Sequence, residues 1–476
     1  MGELSGAILF SCLALGLAAG ILKLKKPAEI MMSAALISAP WWGGIWIGFI
    51  ALDIRLTHFF MLAALAMSKK SKLNIRKQDK ITLWIILPTI LLLVWMLLSS
   101  SQAHDPTQSI SGVVTILLNF LYLITILRIS RNISTVNSMM KSIAIGIIIT
   151  SVIALFQYKI PFFHIGFIDR DFTTFMFWRT RSTFHHANQY GTYQLILLPL
   201  IFRQVIIEFK SKQPKRIYLY AFVFALSVFT LYTTGNRGSW VGLVLGLGIT
   251  IFLDLLRSGS GRTKKVLARV IVIVLILGSI FSLRYGKRIY DRFYGQYESD
   301  YKSQLENRRD LDRDAYRLIK LYPYFGVGYK NFNFYKTTPI FTHNLYLLAM
   351  SEAGLIGFFF YILILIGFLI QSRKIRKVRN FIISNLGSAF YGTLLSLLLA
   401  SYVGPDLWIS DQVSSHLWIV AGVVMAAYRV FQDMRLTTMK KNINNRIQLD
   451  EKMQVQVESS SIVPQNNNST RGLNNA

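Results

Sequence analysis

Apolar runs separated by shorter polar segments repeat along almost the whole chain. A run of about 20 such residues is long enough to cross the hydrocarbon core of a bilayer as a helix. Candidate spans lie at 5–22, 28–50, 53–68, 82–99, 108–127, 136–158, 190–209, 217–234, 239–256, 266–283, 343–370, 381–403 and 416–431. The pattern therefore predicts an all-α polytopic membrane protein with about 12–13 transmembrane helices. It is weakest over 28–68, where Pro40, Gly43, Gly44 and Asp53 interrupt the apolar positions. One long polar segment, 284–342, divides the spans. Within it Leu311, Ala315, Leu318 and Ile319 recur with the period of an amphipathic helix, so a helix is expected over Leu311–Leu321. The expected organisation is 1–283 as N-terminal transmembrane helices, 284–342 as one large outer loop and 343–431 as C-terminal transmembrane helices. Residues 432–476 are expected to form a cytoplasmic, largely disordered tail, polar and Asn-rich beyond Lys440.

The polar connections alternate in charge. Those at 68–80, 128–132, 210–216, 257–265 and 371–380 are short and strongly basic, and they fall at every second connection. Short basic loops stay in the cytoplasm, so 100–107, 159–189, 235–238, 284–342 and 404–415 face outward. The loop 284–342 departs from the rule, with twelve Lys and Arg against seven Asp and Glu. A loop of about 60 residues can be translocated despite a positive charge, which permits the excess without explaining it. Met1–Gly6 carries Glu3 and no Lys or Arg, so no cleavable signal peptide is expected.

Composition agrees with the pattern. Of 476 residues, 53% are hydrophobic and 16% charged, against about 25% charged in ordinary soluble domains. The net charge of +29 resides in the membrane-flanking loops, which argues for membrane anchoring and against nucleic acid. The single Cys12 excludes disulfide frameworks and cysteine metal sites within the chain.

Four polar clusters converge on the outward side. The first is Arg179–Gly191 (RTRSTFHHANQYG), where Arg181 and Asn188 are expected to frame the mouth of a cavity. His185 and His186 are adjacent, so their side chains should diverge, and no metal-ligand spacing accompanies them. The second is the turn Thr233–Trp240 (TTGNRGSW), with Arg237 at the start of a helix. Helix N-termini and arginine forks both favour phosphate, and an interfacial arginine capping the turn accounts for Arg237 equally well. The third is Asn307–Arg317 (NRRDLDRDAYR), followed by YPYFGVGYKNF; the alternative to anion binding there is a solvated charged face. The fourth is His343-Asn344 at a helix start, where His343 has the residue chemistry of a general base. Glu352, deeper in the same helix, reads as a structural carboxylate with a partner inside the protein. No P-loop, dinucleotide-binding or Asp-x-Asp pattern is present.

Taken in order, TTGNRGSW, then RRDLDRDAYRLIKLYPYFGVGYKNF, then THNLYLLAMSEAGLIGFFFY resemble the O-antigen ligase/polymerase family over roughly residues 180–370. The resemblance implies a metal-independent bacterial membrane glycosyltransferase of the C type without cofactors, built as a helical bundle with one large, mostly helical outer loop. Its donor is undecaprenyl-diphosphate-linked glycan, and its site lies on the extracytoplasmic side of the cytoplasmic (inner or plasma) membrane. It further implies that Arg237 and an arginine of the loop helix grip the diphosphate while His343 acts as base. Counting back from Pro323 favours Arg308, and Arg309, turned by about 100° on a helix, is the alternative. Arg309, Arg181, Asn188 and Asn344 are the expected substrate-binding residues. Expected partners are the lipid-linked oligosaccharide, the lipid bilayer and other polysaccharide assembly proteins, with no nucleic acid. Polymerisation of repeat units is the first reading, ligation of a finished glycan to a lipid or cell-wall acceptor the second, and flipping of lipid-linked sugars the third.

Overall fold

A computed structural model of the chain describes residues 12–22, 24, 26–41, 44–47, 52–68, 80–159, 179–211, 213–257, 286–287, 290, 298–336 and 342–461. The expected span 266–283 lies outside the described residues, as do most of the loops 68–80, 159–189 and 257–265. Helix starts follow local chemistry. Pro27, Pro106 and Pro214 open α1 (Pro27–Ser38), α4 (Pro106–Ile129) and α7 (Pro214–Thr233), the position where a missing N–H leaves nothing unsatisfied. Between them lie α2 (Leu56–Met67), α3 (Lys80–Ser100), α5 (Ile133–Lys159) and α6 (Ala187–Lys210). The chain continues through α8 (Arg237–Arg257), α9 (Glu298–Leu321), α10 (Leu345–Arg376), α11 (Phe381–Ala400), the short α12 (Asp406–Ile409) and α13 (Asp411–Ser461). Among the described residues eight helices are long and apolar enough to cross a membrane, and three shorter ones are apolar. The protein is an all-α polytopic membrane protein with one small exception.

That exception corrects the reading of 28–50 and 53–68 as two full spans. The first helix stops at Ser38, and a two-stranded antiparallel ribbon follows, β1 (Gly44–Ile47) pairing with β2 (Leu52–Arg55) in the register Gly44 to Arg55. Twelve-residue α1 and α2 are each about 18 Å long, short of the hydrocarbon thickness. Buried Arg55 closes the ribbon, donating to the carbonyls of Ala39 and Asp411 and to Ser415 Oγ.

Polar side chains gather at one end of the bundle, where α4, α6, α8, α10 and α13 begin and α3, α5, α7 and α11 finish. The other end is basic. There Lys210 Nζ lies 3.7 Å from the centre of the Phe381 ring, and Ser384 donates to the carbonyl of Arg376. Residues Met1–Tyr428 form one compact unit and Arg429–Ala476 a second. The second unit, expected to be largely disordered, is helical as far as Ser461. No glycine or proline falls between Gly422 and Pro464, so nothing in the backbone chemistry stops the helix.

Candidate active site

His343 sits just before α10. Asn344 caps that helix, its side chain accepting from the amides of Tyr346 (2.9 Å) and Leu347 (3.3 Å). Thr342, on the other side of His343, donates to Asp312 Oδ1 of α9 at 2.9 Å. Asp312 lies one turn beyond Arg308, so the contact that holds the His343 segment also turns Arg308 toward it. Burial, and then the Arg308 charge, push the His343 imidazole down to about 4. The side chain is therefore neutral at physiological pH and can accept a proton. Arg308 is half-buried on this side, whereas Arg309 is exposed. The structure thus brings Arg308 to His343 and turns Arg309 away.

The loop that follows α9 is stitched into a break in α10. Gly354 has φ +68° and ψ 178°, which no helical residue adopts, and frees backbone groups in the middle of α10. The amides of Val327 and Gly328 donate to the carbonyls of Ser351 (2.9 Å) and Glu352 (2.9 Å), and the amide of Leu355 donates to Pro323 O (2.8 Å). A β-carbon on Gly354 would lie 1.9 Å from the Tyr324 carbonyl oxygen, and one on Gly326 2.5 Å from the Glu352 backbone. Both are therefore glycine for reasons of space as well as φ. Glu352 is buried and accepts from Trp408 Nε1 (2.8 Å) and from the Phe332 amide (3.3 Å). That carboxylate holds α12 and the loop together, in keeping with a structural role.

Arg237 opens α8, and its neighbour Gly238 packs so tightly that an added β-carbon would lie 2.9 Å from Val403 Cγ2. The same turn holds the start of α10, because the Leu345 amide donates to Ser401 O (3.0 Å). Arg237 and His343 thus flank one turn, Ser401–Gly404, at one end of the bundle. A narrow apolar crevice lined by Leu345, Tyr346, Leu397 and Ser401 lies beside it.

The first cluster packs onto the same layer. Arg179 donates through Nε to Thr234 O (2.7 Å) and through Nη2 to Asn188 Oδ1. Asn236 Nδ2 donates to Asn188 O (3.0 Å), which ties the arginine turn to α6. Asn188 therefore sits within this layer, while Arg181 reaches its own loop, donating to His185 O (3.0 Å). His185 and His186 do not diverge; the bend at Phe184–His186 stacks their rings, with centres 4.7 Å apart. Among the described residues no three His, Cys, Asp or Glu side chains converge as metal ligands.

Two residues here escaped the sequence reading. Asp406 is buried, accepts from Thr192 Oγ1 (2.8 Å), and burial pushes its carboxyl above the usual range, while His186 and Arg179 oppose that shift. Arg179, rather than Arg181, is the cation of the first cluster that reaches the turn before Arg237. The one signal for Asp406 was a lone carboxylate between apolar neighbours in a connection (VGPDLW).

Residues 222–362 match the family model described as O-antigen ligase. That match, over just under a third of the chain, supports the resemblance to the O-antigen ligase/polymerase family. No curated protein matches the chain. The segment matched by the O-antigen ligase model runs from α7 into α10 and contains Arg237, Arg308 and His343, while Arg179, Asn188 and Asp406 lie outside it. Members of that family are membrane enzymes of the glycosyltransferase type.

Proposed function

We propose that the protein is a polymerase of lipid-linked oligosaccharide repeat units for a bacterial surface polysaccharide, working on the extracytoplasmic side of the cytoplasmic membrane. The observation that supports glycan transfer is the contact of Thr342 with Asp312, which sets Arg308 of α9 beside His343 within the segment that the family model matches. The donor is a glycan on undecaprenyl diphosphate. Its leaving diphosphate gains negative charge as the bond to the sugar C1 breaks, and Arg237 and Arg308 stabilise that charge. The acceptor hydroxyl forms the new bond to C1 and gives its proton to His343. A bound diphosphate offsets the Arg308 charge, which raises the basicity of the imidazole in the loaded site. Cations supply the electrostatic stabilisation in this scheme, and it needs no metal.

Arg179 and Asp406 support the site from the first cluster: Asp406 draws on the Arg179 charge, and Arg179 fixes Asn188 and the turn before Arg237. The bundle offers the lipid carrier an apolar surface. Purified protein given a defined lipid-linked repeat unit should make products longer than one unit, and His343→Ala and Arg237→Ala should make none while accumulating normally. Undiminished chain length in either variant would overturn the assignment.

A second reading is ligation of a finished glycan to a lipid or cell-wall acceptor, favoured by the description of the matching family. Glycan profiles separate the two. Loss of a polymerase leaves single-repeat products, and loss of a ligase leaves full chains on undecaprenyl diphosphate.

A further inference from the structure

The end of the bundle that carries His343 also carries a surface that the transfer chemistry leaves unused. Helix α9 buries Leu311, Ala315 and Leu318 and packs on α10. Its opposite side presents Arg309, Arg313, Tyr316, Arg317 and Lys320, all exposed. The spacing Arg309, Arg313, Tyr316, Lys320 keeps to one face of a helix. At 1.5 Å per residue the strip is about 16 Å long. Tyr322 and Tyr324, 41% and 65% exposed, continue it past the end of the helix.

A rim of rings borders the strip. Tyr335 lies 6.2 Å from Tyr322, and His104 stacks on Phe334 at 4.4 Å between ring centres. Arg317 Nη2 donates to Tyr335 O at 3.0 Å, which joins strip and rim.

The charge of the strip is one-sided. Asp314 is buried 3.5 Å from Arg317, and Asp312 is engaged by Thr342. Asp310, beside Arg313 at 3.0 Å, is the remaining carboxylate of this stretch, so four exposed cations face one partly exposed anion. Aromatic faces suit the apolar faces of sugar rings, and cationic forks suit carboxylates or phosphates.

We infer that this strip is a track for an anionic glycan chain, so that the repeat unit this protein handles is acidic. The inference rests on the glycan-transfer reading and extends it to the substrate's charge. A membrane surface would also attract tyrosines and cations. However, α9 buries its apolar face against α10, which leaves the strip without the apolar face that insertion into a lipid surface needs.

The test is binding to the full-length protein in nanodiscs of zwitterionic lipid, using three probes: an oligogalacturonate, a maltodextrin of equal length and poly-L-glutamate. The oligogalacturonate should bind, and more weakly as salt rises. Maltodextrin and poly-L-glutamate should bind at least tenfold more weakly. The exposed substitutions Arg313→Gln with Lys320→Gln, and separately Tyr316→Ser with Tyr324→Ser, should each weaken oligogalacturonate binding at least tenfold. Equal binding of all three probes, equal binding of poly-L-glutamate and oligogalacturonate, or wild-type affinity in both double variants would overturn the proposal. His343→Ala should retain the binding. Failure of the track with His343 still essential condemns this inference alone, whereas transfer by His343→Ala condemns the parent reading.

Discussion

Burial and the Arg308 guanidinium hold the His343 imidazole near 4, well below its ordinary 6.5, and this has a measurable consequence. A lowered folded value means the base stays deprotonated until the pH approaches 4. The kcat/KM of the reconstituted protein, which reports the free site, should therefore be flat between about pH 5 and pH 7 and fall on an acid limb well below 6.5. In Arg308→Gln that limb should move upward, because one of the two causes is gone, and a stationary limb would separate Arg308 from His343. Loss of Arg308 should cost at least 100-fold in rate, on the scale of a lost charge-stabilising group, while Arg309→Gln should stay within a few-fold in the same assay. The choice between these arginines shows what one sequence can and cannot carry. Adjacent side chains on a helix point about 100° apart, and nothing in RRDLD says which one turns inward. The answer comes from Asp312, whose contact with Thr342 exists only once α9 lies against the start of α10. Arg179 and Asp406 escaped for the same reason, since their partners come from α6, α7 and α12.

At the scale of elements, the break in α10 is the feature on which the outer loop depends. Gly354 and Gly326 both have φ near +68° and both face backbone at distances no β-carbon tolerates. Gly354→Ala and Gly326→Ala should each destabilise the docked loop by about 2 kcal/mol or more. Faster protease cleavage within 298–336 and loss of transfer, with the protein still inserted, are the expected readouts. Equal cleavage of the wild type and both variants would mean the loop is held by something else. Hydrophobic periodicity revealed α9 and its buried face, because Leu311, Ala315 and Leu318 repeat with helical spacing. It did not reveal the break, since LLAMSEAGLIGFF reads as one apolar helix and the glycine acts through a main-chain contact with a distant segment. The ribbon Gly44–Arg55 was hidden likewise, as short apolar runs flanked by glycine suit a helix or a strand equally.

For the whole molecule, charge alternation was the most legible signal. Every second connection is basic, which predicts the orientation of the bundle in the membrane. Reactivity to a membrane-impermeant thiol reagent checks it. With the single native cysteine replaced (Cys12→Ser), Val403→Cys should label from outside the cell, and Val378→Cys should label only after permeabilisation. Labelling of both in intact cells would refute the orientation. The helix count was less legible, because hydropathy sees apolar length and misses the shortness of α1 and α2. The stitching of the outer loop carries one more consequence. Ser351, Pro323, Val327 and Leu355 contribute peptide groups rather than side chains to those bonds, so at these four positions the seam does not depend on the side chain, whereas Gly328 (φ +92°) and the Glu352 carboxylate are fixed by their own contacts. Descendants of this sequence are free to drift in much of the loop without losing the placement of its arginine. A saturation library scored for retained transfer should accordingly accept almost any residue at Leu355, and reject nearly all at the two glycines.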